Sequence, residues 1–160
     1  MERDRGTAVG VVSGFGVTDA ADLVRLVTEG WMADPESSVV WTDDHEGRRG
    51  VRMRQQVRDM TTVWFEVGQR TVTIEAYVLP KPPRGAEEVY RQVLVRNAST
   101  RRMAFALDRL GDLVILGKIP LEHLDEQELE LVLGEIYDLI EVSFPGLVAA
   151  AFSRENNAPE

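Results

Sequence analysis

The stretch "LDRLGDLVILGKIP", Leu107 to Pro120, decides how the whole chain is read. Two aspartates, Asp108 and Asp112, bracket Gly111 between two apolar runs. A calcium loop needs oxygen ligands at fixed offsets around its central glycine. With Gly111 in that place, Ala106 falls in the first ligand position and has no oxygen to offer. "DRLGD" does supply turn formers, and a glycine tolerates positive φ without cost. The reading is a hairpin: Met103, Phe105 and Leu107 line one side of its first strand, and Leu113 to Ile119 form the second.

Working upstream, "AEEVYRQVLVRNA" places Val89, Tyr90, Val93 and Leu94 on one helical face, with Asn97 a turn later. "PKPPRG", Pro80 to Gly85, is punctuation that no sheet interior accepts. "TTVWFEVGQRTVTIEAYVL" is a second hairpin, bending at Gly68-Gln69. Before it, "SVVWT" is a strand and "DDHEGRRG" a polar turn. In "VRMRQQVRD", Val51, Met53 and Val57 alternate with Arg52, Arg54 and Arg58, giving one apolar and one basic face. Thr18 and Asp19 cap a first helix whose buried face is Ala20, Leu23, Val24, Val27 and Trp31; Asp34-Pro35 ends it. After Pro120, Asp125 and Glu128 open a last helix with the stripe Leu129, Val132, Leu133, Ile136 and Ile140, which Pro145-Gly146 stops.

The resulting order is α-ββββ-α-ββ-α, an α+β domain with helices packed against an antiparallel sheet. The expected division is an arm or short strand over residues 1–17, one domain over 18–152 and a polar tail over 153–160.

Composition narrows function by exclusion. A formal charge of -9 and a pI near 4.8 argue against a nucleic-acid binder. With no cysteine there is no disulfide, thiolate metal site or cysteine nucleophile. That suits a reducing compartment. The start "MERDRGTAVGVV" lacks the long uncharged core of a signal peptide or membrane span. The expectation is a cytoplasmic protein without membrane partners or cofactors.

Motif tests find little chemistry. "GFGVTDA" puts Asp19 where a dinucleotide fingerprint needs its third glycine. "HEGRR" has Arg49 where a zincin needs its second histidine, and "TDDHEG" has Thr42 where a calcium loop starts. Only His45 and His123 are present, and no serine sits in a G-x-S-x-G elbow. A carboxylate-based or metal-assisted hydrolase would have to use Asp43, Asp44 or Asp112. The row Arg48, Arg52, Arg54 and Arg58 offers an anionic ligand or an acidic partner segment a place to bind. The ordinary reading, which we favour, is a solvated face whose charge deters edge-to-edge aggregation.

Val89, Tyr90, Val93, Leu94, Arg96 and Asn97 on the middle helix, then Phe105, Leu107, Asp108, Gly111 and Asp112 in the hairpin, resemble the YbjN family of bacterial proteins, which carry a sensory-transduction regulator label. The likeness spans roughly Val39 to Phe152 and rests on motif order and spacing. The chain departs from it at "MRQQVRD", where the family pattern has aromatics and a Pro-Gly pair. The resemblance implies a type III secretion chaperone-like fold, a homodimer, an extended polypeptide as partner and no assigned catalytic centre. Strand addition at a sheet edge would be one mode of binding. Candidate contact residues are Trp41, Met53, Val57, Trp64 and Tyr77 with Arg52, Arg54 and Arg58. The alternatives are the hydrolase and a purely structural dimer.

Overall fold

The computed structural model describes residues 16–153; positions 1–15 of the expected arm and 154–160 of the expected polar tail lie outside them, and Val17, placed in the arm, begins the first helix. The elements are α1 (Val17–Ala33), β1 (Val39–His45), β2 (Arg48–Arg54), β3 (Met60–Val67), β4 (Thr71–Leu79), α2 (Ala86–Asn97), β5 (Met103–Leu107), β6 (Leu113–Pro120), a 3-10 turn (Leu121–His123) and α3 (Glu126–Ala151). The six strands form one sheet in the order β1-β2-β3-β4-β6-β5, antiparallel at every junction. The order of helices and strands is the one the periodicity predicts.

The helices cover one face of this sheet. Val51, Met53, Val63, Phe65, Ile74, Ala76, Phe105 and Ile115 point into that face and are buried with Val24, Val89, Leu129, Ile136 and Ile140 from the helices. Burying each of the larger side chains contributes about 1.5–3 kcal/mol. Trp31 tilts against Phe65 with ring centroids 6.3 Å apart and anchors α1 to β3.

Local chemistry sets the turns. Between β1 and β2 only Glu46 and Gly47 turn, with φ of 50° and 77°, as a two-residue hairpin requires. The strands therefore run deeper into "DDHEGRRG" than expected. The loop at Gly111 is a turn: its φ is 83°, its N–H donates to the Asp108 carbonyl, and the Asp108 carboxylate accepts from Leu110 and Asp112 N–H. The Asp112 carboxylate accepts from Lys81 N–H at 2.8 Å and pins the proline-rich connection.

Three expectations are corrected. Gly16, not Thr18, precedes the first helical residue, and its N–H donates to the Asp19 carboxylate at 3.2 Å. Leu94 is 67% exposed, because it lies about 100° around the helix from Val93, beyond the face centred on Val89 and Val93. Pro145 does not stop α3, which continues to Ala151. A helical proline costs about 3 kcal/mol. Leu147, wholly buried two residues later, returns a comparable amount by itself, and buried Ala151 adds to it.

Candidate functional site: the open face of the sheet

Among the described residues, no helix lies over the other face of the sheet. Cross-strand register assigns its residues. Trp41 pairs with Arg52, Asp43 with Gly50 and His45 with Arg48; Gly50 pairs with Trp64 and Arg52 with Thr62; Trp64 pairs with Glu75, and Tyr77 with Val114. Ala104 and Ala106 complete it opposite Leu116 and Val114.

Gly50 is the floor of this face. A Cβ there would lie 2.7 Å from the Trp64 ring and 2.8 Å from the Trp41 ring, so both indoles lean over the glycine from neighbouring strands. Arg48 stacks on Trp64 at 4.6 Å and Arg52 on Trp41 at 4.9 Å. Each such contact is worth about 0.5–1 kcal/mol at an exposed site. The His45 ring lies 6.0 Å from Trp64 and extends the row. Among the described residues no carboxylate comes within ion-pair distance of Arg48, Arg52 or Arg54, while Arg25, Arg49, Arg91 and Arg102 all have one.

Of the sequence-predicted contact residues, Trp41, Trp64, Tyr77, Arg52 and Arg54 share this face. Met53 does not; it points to the helices with 0% exposure. Val57 and Arg58 lie outside the strand, in the loop after β2. The Glu141 carboxylate on α3 draws that loop in by accepting from Gln55 Nε2, Gln56 N–H and Val57 N–H. Arg58 donates to the Tyr77 and Val78 carbonyls and to Thr61, and covers the Phe144 ring at 4.9 Å. Burial lowers its pKa, with Tyr77 opposing that shift. Arg58 thus closes the lower border of the sheet, and the basic row ends at Arg54. Tyr77, 45% exposed, has its phenol pushed up by desolvation, then by Asp112 and Asp108.

Arg49 and Glu135 escaped the sequence reading as structural residues, and Asn97 entered it only by its place on the middle helix and in the family motif. Arg49 points inward between half-buried Arg48 and exposed Arg52, only 8% exposed, donating to Thr28 Oγ1 at 3.0 Å with Asp44 and Glu29 nearby. Its parity with Val51 and Met53 was the available signal. Glu135 and Asn97 close the β5 edge. The Glu135 carboxylate accepts from Arg101, Arg102 and Met103 N–H, and the Asn97 amide both accepts from Phe105 N–H and donates to its carbonyl. At the opposite edge β1 carries a bulge between Val39 and Trp41, Ser37 Oγ accepts from Val39 N–H, and the Asp43 carboxylate accepts from Asp44 N–H. Bulges and charges are the usual means of discouraging strand addition. The edges are therefore partly blunted, at Met103 and Phe105 on β5 and at Val39 and Asp44 on β1, which disfavours strand pairing at those points.

Nor do the acids converge. Asp43 and Asp44 sit on edge strand β1, and Asp112 lies between β5 and β6 at the far side of the sheet. Among the described residues no group of three or more His, Asp or Glu side chains is placed to hold a metal ion. A groove of about 700 Å³ runs along Lys118, His123 and the Arg102–Glu128 pair. That pair is joined by two hydrogen bonds, which hold the Glu128 carboxyl below its ordinary pKa. No helix among the described residues is long and apolar enough to cross a membrane.

The class so defined is an α+β protein with helices on one side of an antiparallel sheet and, among the described residues, an aromatic and basic surface without a helix on the other. The chain belongs to the YbjN family, whose model matches residues 27–147 under the description "Putative bacterial sensory transduction regulator". It is similar to uncharacterized proteins of Mycobacterium tuberculosis and Mycobacterium bovis, each 35% identical over 88 residues, covering 55% of this chain and 48% of the relative. An uncharacterized protein of Mycobacterium leprae is 31% identical over 102 residues, covering 64% of this chain and 55% of its own length. The matched region spans about half the length of these relatives.

Proposed function

We propose that this is a non-enzymatic, chaperone-like regulatory domain that engages a partner polypeptide through the open face of its sheet and works as a homodimer in the cytoplasm. One observation carries the reading: half-buried Trp41 and Trp64 and exposed Tyr77 occupy a sheet face without a helix among the described residues, while the edges are partly blunted. Exposed apolar surface framed by polar groups is what a protein-docking site offers. Membership of a family described as regulators supports a protein partner over a substrate.

The test is site-specific photo-crosslinking in the native cell, with the reactive group at Thr62 or Thr73 on the open face and at Leu26 on the exposed side of α1 as control. Crosslinks to a polypeptide from the sheet positions alone support the reading. Crosslinks from Leu26 alone overturn it. Sedimentation equilibrium separates a second copy from a different partner and tests the dimer directly.

A further inference from the structure

The basic row was set aside as solvated surface, but its placement gives it a further use. Arg48, Arg52 and Arg54 stand on one strand, on the open face, without an acidic partner among the described residues, in a chain of formal charge -9. Two of them, Arg48 and Arg52, sit over the indoles of Trp64 and Trp41. Stacking restricts the guanidinium while leaving its N–H edges free to grip a carboxylate in bidentate fashion. We propose that this row recognises an acidic, extended polypeptide segment lying along β2. The inference rests on the open face being the docking surface, and it names the chemistry of the partner.

The geometry also sets a pattern. At about 3.3 Å per residue, Arg52 and Arg54 are about 7 Å apart and Arg48 lies about 13 Å beyond Arg52. Side chains two apart on an extended peptide repeat at the same interval. A segment running antiparallel to β2 therefore meets Arg54, Arg52 and Arg48 with acids at its first, third and seventh positions. Its fifth position falls over Gly50, where the two indoles meet, and takes an apolar side chain. Asp43 and Glu66, also on this side of β1 and β3, disfavour further acids outside that line.

The experiment uses the full chain and a synthetic peptide with Glu at positions one, three and seven, Leu at five and Ser or Thr elsewhere. Its controls are the same composition in permuted order, the Glu→Gln peptide and an oligothymidylate. Calorimetry reads affinity, and the Trp41 and Trp64 indole N–H resonances read location. The spaced acidic peptide is expected to bind, to shift both indoles and to weaken with added salt. Arg52→Gln with Arg54→Gln is expected to weaken it about tenfold, which converts to about 1.4 kcal/mol. Arg84→Gln, at an exposed position in the proline-rich connection before α2, is expected to change nothing. A paired reversal, Arg52→Glu with Arg54→Glu against a peptide with Lys at positions one and three, is expected to recover binding; it also excludes misfolding as the cause of the loss. Equal binding of the permuted peptide, or binding of the Glu→Gln peptide that ignores the arginine variants, overturns this inference and leaves the open-face reading standing. Tighter binding of the oligothymidylate overturns it in favour of single-stranded nucleic acid. Silence of every ligand, with crosslinks absent from Thr62 and Thr73, overturns both.

Discussion

Replacing Asn97 by alanine tests how the sheet ends. Asn97 Nδ2 donates to the Phe105 carbonyl at 3.0 Å, and Asn97 Oδ1 accepts from the Phe105 N–H at 2.8 Å. The amide occupies the place of a neighbouring strand for that one residue. Each bond contributes about 0.5–1.5 kcal/mol net, so Asn97→Ala should cost about 2 kcal/mol. For a domain of this size that lowers Tm by roughly 4–8 °C. Circular dichroism gives the melting shift, and amide exchange gives its location: protection of Phe105 N–H should fall while that of Ile74 and Ile115, deep in the sheet, changes only with global stability. Asn97→Asp sharpens the test. Ionised, it keeps the acceptor but sets an anion against the Phe105 carbonyl, so it should be at least as destabilising as alanine at neutral pH. The protonated acid can again donate, so the folded state raises that pKa, and the deficit relative to the parent should shrink as pH falls. An unchanged Tm for Asn97→Ala together with a still-protected Phe105 amide would refute the edge-closing role.

Gly85 takes φ of 60° at the start of α2, and an added Cβ would run into the Ala150 carbonyl, so Gly85→Ala should cost at least about 2 kcal/mol by thermal melting. Gly50→Ala should be mild by the same measure, because the obstacles are ring edges free to swing outward, but it should displace both indole resonances. Pro145→Ala restores an N–H inside α3 and should raise stability by about 1–2 kcal/mol in urea titration; a lower midpoint would show that the proline serves the packing. Glu88, held at about 2 chiefly by the hydrogen bonds from Arg91 and Gln92, and Glu128, lowered by Arg102, are both depressed in the fold. Their contribution is present above the ordinary carboxylate pKa and is lost as pH falls through the folded values. Arg102→Gln should therefore remove part of the stability difference between neutral and acid pH, which melts from pH 7 to pH 2 would follow.

Element identity was legible in the sequence because period and punctuation are local. Met103 to Ile119 read as a hairpin from its alternation and its glycine, and Val89 with Val93 identified the inner side of α2. Arg58 was misplaced for a physical reason. Alternation continues on paper through "VRMRQQVRD", but Glu141, more than eighty residues later, takes three donors from that loop and ends the strand at Arg54. No period in a local window records such a partner. Pro145 was misread similarly, since only the packing of Leu147 and Ala151 carries the helix past it.

The candidate site divides along the same line. Residue order determined that arginines and tryptophans alternate with core residues on β1 to β3, because side chains on a strand must point to opposite faces. Register brought Trp41 and Trp64 together over Gly50, since pairing joins residues that are far apart in the chain. Residue order marked the apolar side of each strand, but that all three helices gather over that one side of the joined sheet was decided by the tertiary structure. Buried apolar area summed over the entire core sets that choice, and no single segment contains it.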